Sequence, residues 1–169
     1  MIKLKDILTE ANQEMYQIYC DMDGVLADFE KQFERHTGHK VKGFQTKNGK
    51  DAFWAEIQTH GVKFWSDIPW MSDGKTLWKY IKKFNPSILS APSQAEESKI
   101  GKTQWVKKNI GNVKLILIRS SEKQKYANQY AILIDDYERN IQRWKSTGGI
   151  AILHTSTANT IAQLKKLGL

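Results

Sequence analysis

Asp21 and Asp23 stand two residues apart where a short apolar run ends, in Asp21-Met22-Asp23-Gly24-Val25-Leu26-Ala27-Asp28. Two carboxylates at i and i+2 beyond a strand end can both turn into the following loop, and Gly24 permits a turn that a side chain would obstruct. A carboxylate can attack phosphorus and form an aspartyl-phosphate, and a second carboxyl can protonate the leaving oxygen and later activate water. Asp21 fits the first role and Asp23 the second. A capped turn uses the same residue types, so the pair needs support from elsewhere in the chain.

Support comes from Ile132-Leu133-Ile134-Asp135-Asp136, where two more acids follow an apolar run. Four carboxylates on one edge would repel one another unless a cation neutralises them, and a hard oxygen cluster with room for waters suits Mg²⁺. Ser90, in Leu89-Ser90-Ala91-Pro92, closes another run, and its hydroxyl with nearby backbone N–H groups, Ala91 included, can hold a phosphoryl oxygen. Lys125 lies ten residues before Asp135 and can balance charge on nucleophile and phosphoryl group, with Lys123 as its competitor.

The elements that must position these residues follow from periodicity. Gln17–Cys20, Ser87–Leu89, Val113–Ile118, Ala131–Ile134 and Gly149–Leu153 read as strands. Glu96–Asn109, Glu122–Gln129, Glu138–Ser146 and Ala158–Leu167 read as helices between and after the last four. Alternation of this kind implies an α/β fold, a doubly wound parallel five-stranded sheet with helices on both faces, whose ligands bind beyond the carboxyl ends of the strands. About 65 residues separate the first strand from the second, too long a span to lack structure. Within it Phe29–Thr37, Asp51–His60 and Ser72–Phe84 read as helices, with Gly38, Gly43 and Gly61 marking turns. The division expected is a core of 16–28 and 71–169, a small helical cap of 29–70, and an N-terminal helix or leader over 1–15.

The four acids, Ser90 and a lysine occur in an order that resembles the four motifs of the haloacid dehalogenase superfamily of phosphatases. Within it, the chain is most similar to the 5′(3′)-deoxyribonucleotidases. The similarity is carried by Asp21 to Phe29, Ser90-Ala91-Pro92, Lys102 to Asn109 with Trp105-Val106, Leu133 to Asp136, and Gly148 to Leu153. The resemblance implies Asp21 as nucleophile, Asp23 as acid and base, Ser90 as phosphate binder and Lys125 as the charge-balancing lysine. It implies Mg²⁺ held by Asp21, the Asp23 carbonyl and Asp136, with Asp135 as a further ligand or behind one. Motif two departs from that family in having Ser for the usual Thr, and the stretch Ser120 to Lys125 differs from it in length or composition.

In the cap, Phe29, Phe64 and Trp65 sit where the nucleotidases line their base pocket, and flat rings can sandwich a nucleobase. Trp78, Trp105 and Trp144 lie on amphipathic helices and read as core. The substrate expected is a nucleoside monophosphate, with polynucleotide ends as a second possibility and a non-catalytic nucleic-acid-binding module, phage-derived in one version, as a third.

The 169 residues fit one domain with a small insertion, and 40% apolar with 26% charged residues are globular values. A net charge of +8 draws anions without choosing among phosphates, nucleotides and nucleic acid. One cysteine, Cys20, excludes an internal disulfide and a multi-cysteine zinc site, and points to a reducing compartment. With no apolar run near the ~18 residues of a membrane helix, a cytoplasmic protein is expected, in the host cell if phage-encoded. A dimer is compatible with this reading.

Overall fold

Five apolar runs pair as one all-parallel sheet in the order β3-β2-β1-β4-β5, in a computed structural model that describes residues 15–169. The strands are β1 (Gln17–Cys20), β2 (Ser87–Ser90), β3 (Leu115–Leu117), β4 (Ala131–Asp135) and β5 (Ile150–Leu153). The expected N-terminal helix or leader lies outside the described residues apart from Met15.

Period-two alternation divides each inner strand between two cores. Ile132 and Ile134 face one side with Ile18, Cys20, Ile88 and Ile152, while Ala131 and Leu133 face the other with Leu89 and Ala151. Both faces are therefore covered, as an all-parallel sheet requires. On the first lie α4 (Gly74–Ile81), α5 (Glu96–Asn109) and α7 (Thr157–Lys166), through Leu77, Trp105 and Leu164. On the second lies α6 (Glu138–Ser146), through Ile141 and Trp144. Trp105 and Trp144 are fully buried, each N–H donating to a carbonyl, Ile68 O at 2.6 Å and Ala131 O at 3.1 Å. Burying each ring contributes on the order of 2–3 kcal/mol, and the bonded N–H removes the penalty of hiding a donor.

Between β1 and α4 come three helices, α1 (Phe29–Thr37), α2 (Val41–Thr59) and α3 (Gly61–Ser66). Gly43, expected to mark a turn, lies inside α2, and the break falls at Gly49, whose φ of 84° and ψ of 171° are non-helical. α3 packs closely on α5: a β-carbon on Gly101 would lie 2.3 Å from Trp65 Cβ and 2.7 Å from the Val62 carbonyl oxygen. Only glycine allows that approach, so Gly101 sets how near the inserted helices stand to the sheet's carboxyl edge. The stretch expected as a helix over Glu122–Gln129 is instead a 3-10 helix, Ser120–Tyr126. No helix among the described residues is long and apolar enough to cross a membrane.

Candidate active site

Strand register brings the acids together. β1 pairs with β4 so that Cys20 stands opposite Ile134, and Asp21 N continues the ladder by donating to Ile134 O at 2.9 Å. Asp21 and Asp135 therefore lie side by side at the carboxyl end of the two central strands. β2 flanks β1 on its other edge, with Cys20 opposite Ile88, and ends at Ser90.

Beyond β1 the chain folds into a tight loop in which Leu26 N and Ala27 N both donate to Met22 O, each at 2.8 Å. Asp28 closes the loop as N-cap of α1, its Oδ1 accepting from Lys31 N at 2.9 Å. Gly24 adopts φ 74° inside it, in the left-handed region that favours glycine. The turn directs Asp21 and Asp23 toward separate cations.

Lys123, buried at 2% exposure, reaches Asp21 Oδ2 at 2.8 Å and Asp135 Oδ2 at 2.7 Å. Asp135 also accepts from Asn140 Nδ2 at 3.0 Å and, through Oδ1, from Tyr137 N at 2.8 Å. Lys102, fully buried on α5, reaches Asp23 Oδ2 at 2.5 Å and Ser90 Oγ at 3.0 Å, and its Nζ stands 5.5 Å from the Trp65 ring centroid. Asp23 Oδ1 is buried and, among the described residues, has no hydrogen-bond partner.

Carboxylate oxygens of Asp21, Asp135 and Asp136 all lie within 4.8 Å of one another. Four acids, Asp21, Asp23, Asp135 and Asp136, face two ammoniums, Lys102 and Lys123, which leaves a net charge of −2 with every group ionised. Burial, then the charges of Asp21 and Asp135, push the Asp136 carboxyl up to about 7. Burial and the Asp21 charge raise Asp135, although Lys123 opposes them. Burial raises Asp23 against the pull of Lys102. For Lys123 burial acts downward, but the charges of Asp21 and Asp135 outweigh it and hold the ammonium on. An excess of negative charge among hard oxygen donors fits a divalent cation such as Mg²⁺, with Asp21, Asp135 and Asp136 as the residues able to hold it.

A cleft of about 1070 Å³ opens over the acids. Asp21, Asp23, Ser90, Ala91, Lys123 and Asp136 form its floor, and Phe29 and Trp65 reach it from the inserted helices. Two expected residues lie elsewhere. Lys125 points away, its side chain 64% exposed and ion-paired with Glu122, and Lys123 takes the position foreseen for it. Phe64 does not line the cleft: it is fully buried among the inserted helices, against Phe29 and Trp65 at centroid distances of 5.5 and 5.2 Å.

Lys102 and Asn140 were not singled out from the sequence, yet both bond the acids, and the cap aromatic Trp54 also lines the cleft. For Lys102 a signal existed. The buried stripe of α5 is Ser98, Gly101, Lys102, Trp105 and Val106, so this lysine lies one turn before Trp105 on the face that meets the core. A buried lysine requires a partner of opposite charge.

Neither a protein-family model nor a curated protein sequence matches the chain. Solved structures do. A hydrolase from Streptococcus pneumoniae TIGR4 superposes with a TM-score of 0.57 at 13% identity, over 89% of this chain and 99% of that one. A HAD-superfamily hydrolase from Ehrlichia chaffeensis gives 0.52 at 12%, over 89% and 96%. The L-2-haloacid dehalogenase of Xanthobacter autotrophicus gives 0.53 at 10%, over 90% and 83%. At such identities the likeness is one of architecture. The five-stranded all-parallel sheet is the architecture that the chain shares with these haloacid dehalogenase-like structures.

Proposed function

We propose that the protein is a divalent-metal-dependent phosphomonoesterase that hydrolyses a nucleoside monophosphate. The observation that carries this reading is the juxtaposition of Asp21 with Lys123, Asp135 and Asp136 while Asp23, two residues on, is engaged by a different cation. Asp21 thereby sits against a buried ammonium while burial raises Asp23, two different environments of the kind that acid–base catalysis needs.

An Asp21 oxygen attacks phosphorus, the ester P–O bond breaks, and the departing alkoxide takes a proton from Asp23. Asp23, now a carboxylate, removes a proton from water as that water attacks the Asp21 acyl-phosphate. The P–O bond to Asp21 breaks, inorganic phosphate leaves, and both aspartates are restored. Lys102 and Ser90 lie beside Asp23 where phosphoryl oxygens arrive, and Lys123 balances the charge of Asp21. Asp21, Asp135 and Asp136 would hold Mg²⁺, which would supply positive charge for a dianionic phosphate approaching an anionic nucleophile. Phe29 and Trp54, both half-buried on the cleft wall, can meet a base with their rings, and Trp65, itself buried, backs them.

Carbon–halogen cleavage, the reaction named for one structural neighbour, fits the site less well. A halide leaves unprotonated and brings no phosphate charge, so neither Asp23 nor a three-carboxylate cluster would serve it. The deciding experiment measures phosphate release from nucleoside 5′- and 3′-monophosphates, with Mg²⁺ and with chelator, beside halide release from a 2-haloacid. Metal-dependent phosphate release, abolished in Asp21→Asn, is expected. Full activity in that variant would remove the mechanism.

A further inference from the structure

We propose that a second site, a groove between α4 and the carboxyl end of α5, binds single-stranded nucleic acid. It is separate from the cleft over the acids and encloses about 390 Å³. Lys75, Lys79 and Lys82 fall at i, i+4 and i+7, one face of α4 and its continuation, and Lys108 closes the groove from α5. All four are exposed. No acid occurs between Asp73 and Glu96 or between Glu97 and Glu122, so both walls are cationic without internal compensation. One opposing charge, Asp67, meets Lys108 at 3.5 Å in a pair whose side chains are 69% and 53% exposed, too open to neutralise the groove.

Charge alone would describe a solvated lysine face. The indoles distinguish this one. Trp70 and Trp78, both half-buried, lie among the lysines and line the groove. Trp70 is held in place, its N–H donating to Asn109 Oδ1 at 3.0 Å and its ring 5.0 Å from that of Trp105. Lys75 Nζ stands 6.0 Å from the Trp70 centroid. A fixed indole beside lysines at one-turn spacing suits an unpaired strand: phosphates meet the ammoniums while a base stacks on the ring. A duplex hides its base faces and would use only the charge.

The test uses the whole chain and fluorescence anisotropy with labelled oligothymidylate and oligouridylate of about 15 nucleotides, near the span that single-strand modules cover. Binding is expected at low salt and should weaken steeply as salt rises. A triple Lys75→Gln, Lys79→Gln, Lys82→Gln variant should bind at least about tenfold more weakly, with the slope of log affinity against log salt shallower by ~2. An abasic oligomer of equal charge and a duplex of equal length should each bind several-fold more weakly than the single strand. No binding, unchanged affinity in the triple variant, equal affinity for abasic or duplex competitor, or full competition by vesicles of anionic phospholipid would each overturn the proposal. The three lysines are exposed, and equal melting temperatures would show the variant folded. The assay does not read turnover, so it stands or fails apart from the phosphatase reading.

Discussion

The Asp136 carboxylate stands directly against Gly24: a β-carbon at Gly24 would lie 2.1 Å from Asp136 Oδ2 and 2.5 Å from its Cγ. The loop carrying two acids and the strand end carrying two more are thus fitted together with no room for a methyl group. Gly24→Ala would also force a side chain into a φ of 74°, costing about 1–2 kcal/mol before any clash. The expected result is a lowered melting temperature and, because Asp136 must move, at least ~100-fold slower phosphate release. A variant with unchanged kinetics would show that Asp136 can shift without consequence.

Lys123 and Lys125 give the sharpest contrast within one segment. Lys123→Met leaves Asp21 and Asp135 without their shared cation, which should destabilise the chain by about 3–5 kcal/mol, read by urea unfolding. Phosphate release should fall with it. Lys125→Met removes only an exposed pair with Glu122 and should stay within about 0.5 kcal/mol of the parent with activity intact. Reversed outcomes would return the role to Lys125.

Why the sequence left that choice open is physical. The acids were legible because each ends a strand whose period-two pattern and parallel pairing fix where its last side chain goes: Cys20 opposite Ile134 is enough to bring Asp21 beside Asp135. The lysine sits on a connecting segment, and its spacing to the acid pair, which favoured Lys125, does not say which way a side chain points on what is a 3-10 helix. At ~3 residues per turn, positions two apart point to different sides, so only one of Lys123 and Lys125 can face the acids. Phe64 and Trp65 pose the same problem. Adjacent residues on short α3 diverge by about 100°, and aromatic character does not say which one meets the cleft. Lys102 was hidden differently, as a charged residue on a stripe whose other members are small or apolar.

Metal and protons should compete for the acid cluster. In the metal-free protein Asp136 is raised to about 7 and Asp135 is raised as well, each by burial first and like charge second. A carboxyl whose folded pKa exceeds its unfolded value contributes stability that is complete below the unfolded pKa, near ~4, and is lost as pH climbs through the folded one. Metal-free protein should therefore lose thermal stability between about pH 4 and pH 7 from these groups. A divalent cation needs the ionised forms, so the rise in melting temperature on adding Mg²⁺ should be larger at about pH 8 than at about pH 5.5. A Mg²⁺ effect independent of pH, or one that survives Asp136→Asn in full, would place the ion elsewhere.

Asp23 can be separated from the nucleophile by the leaving group. Its Oδ2 is engaged by Lys102 while Oδ1 is buried without a partner, so an amide in its place keeps the Lys102 contact but carries no transferable proton. A nucleoside alkoxide is a poor leaving group and needs that proton, and Asp23→Asn should slow its release by about 10²–10⁴-fold. A nitrophenolate departs unaided, so Asp21 should still be phosphorylated by p-nitrophenyl phosphate. The second step, in which Asp23 removes a proton from water, would remain slow. Rapid mixing should then show a burst of nitrophenolate equal to the enzyme concentration followed by slow turnover, with no burst of nucleoside from the nucleotide. Equal losses for both substrates without a burst would mean that Asp23 and its Lys102 partner position the phosphate rather than move a proton.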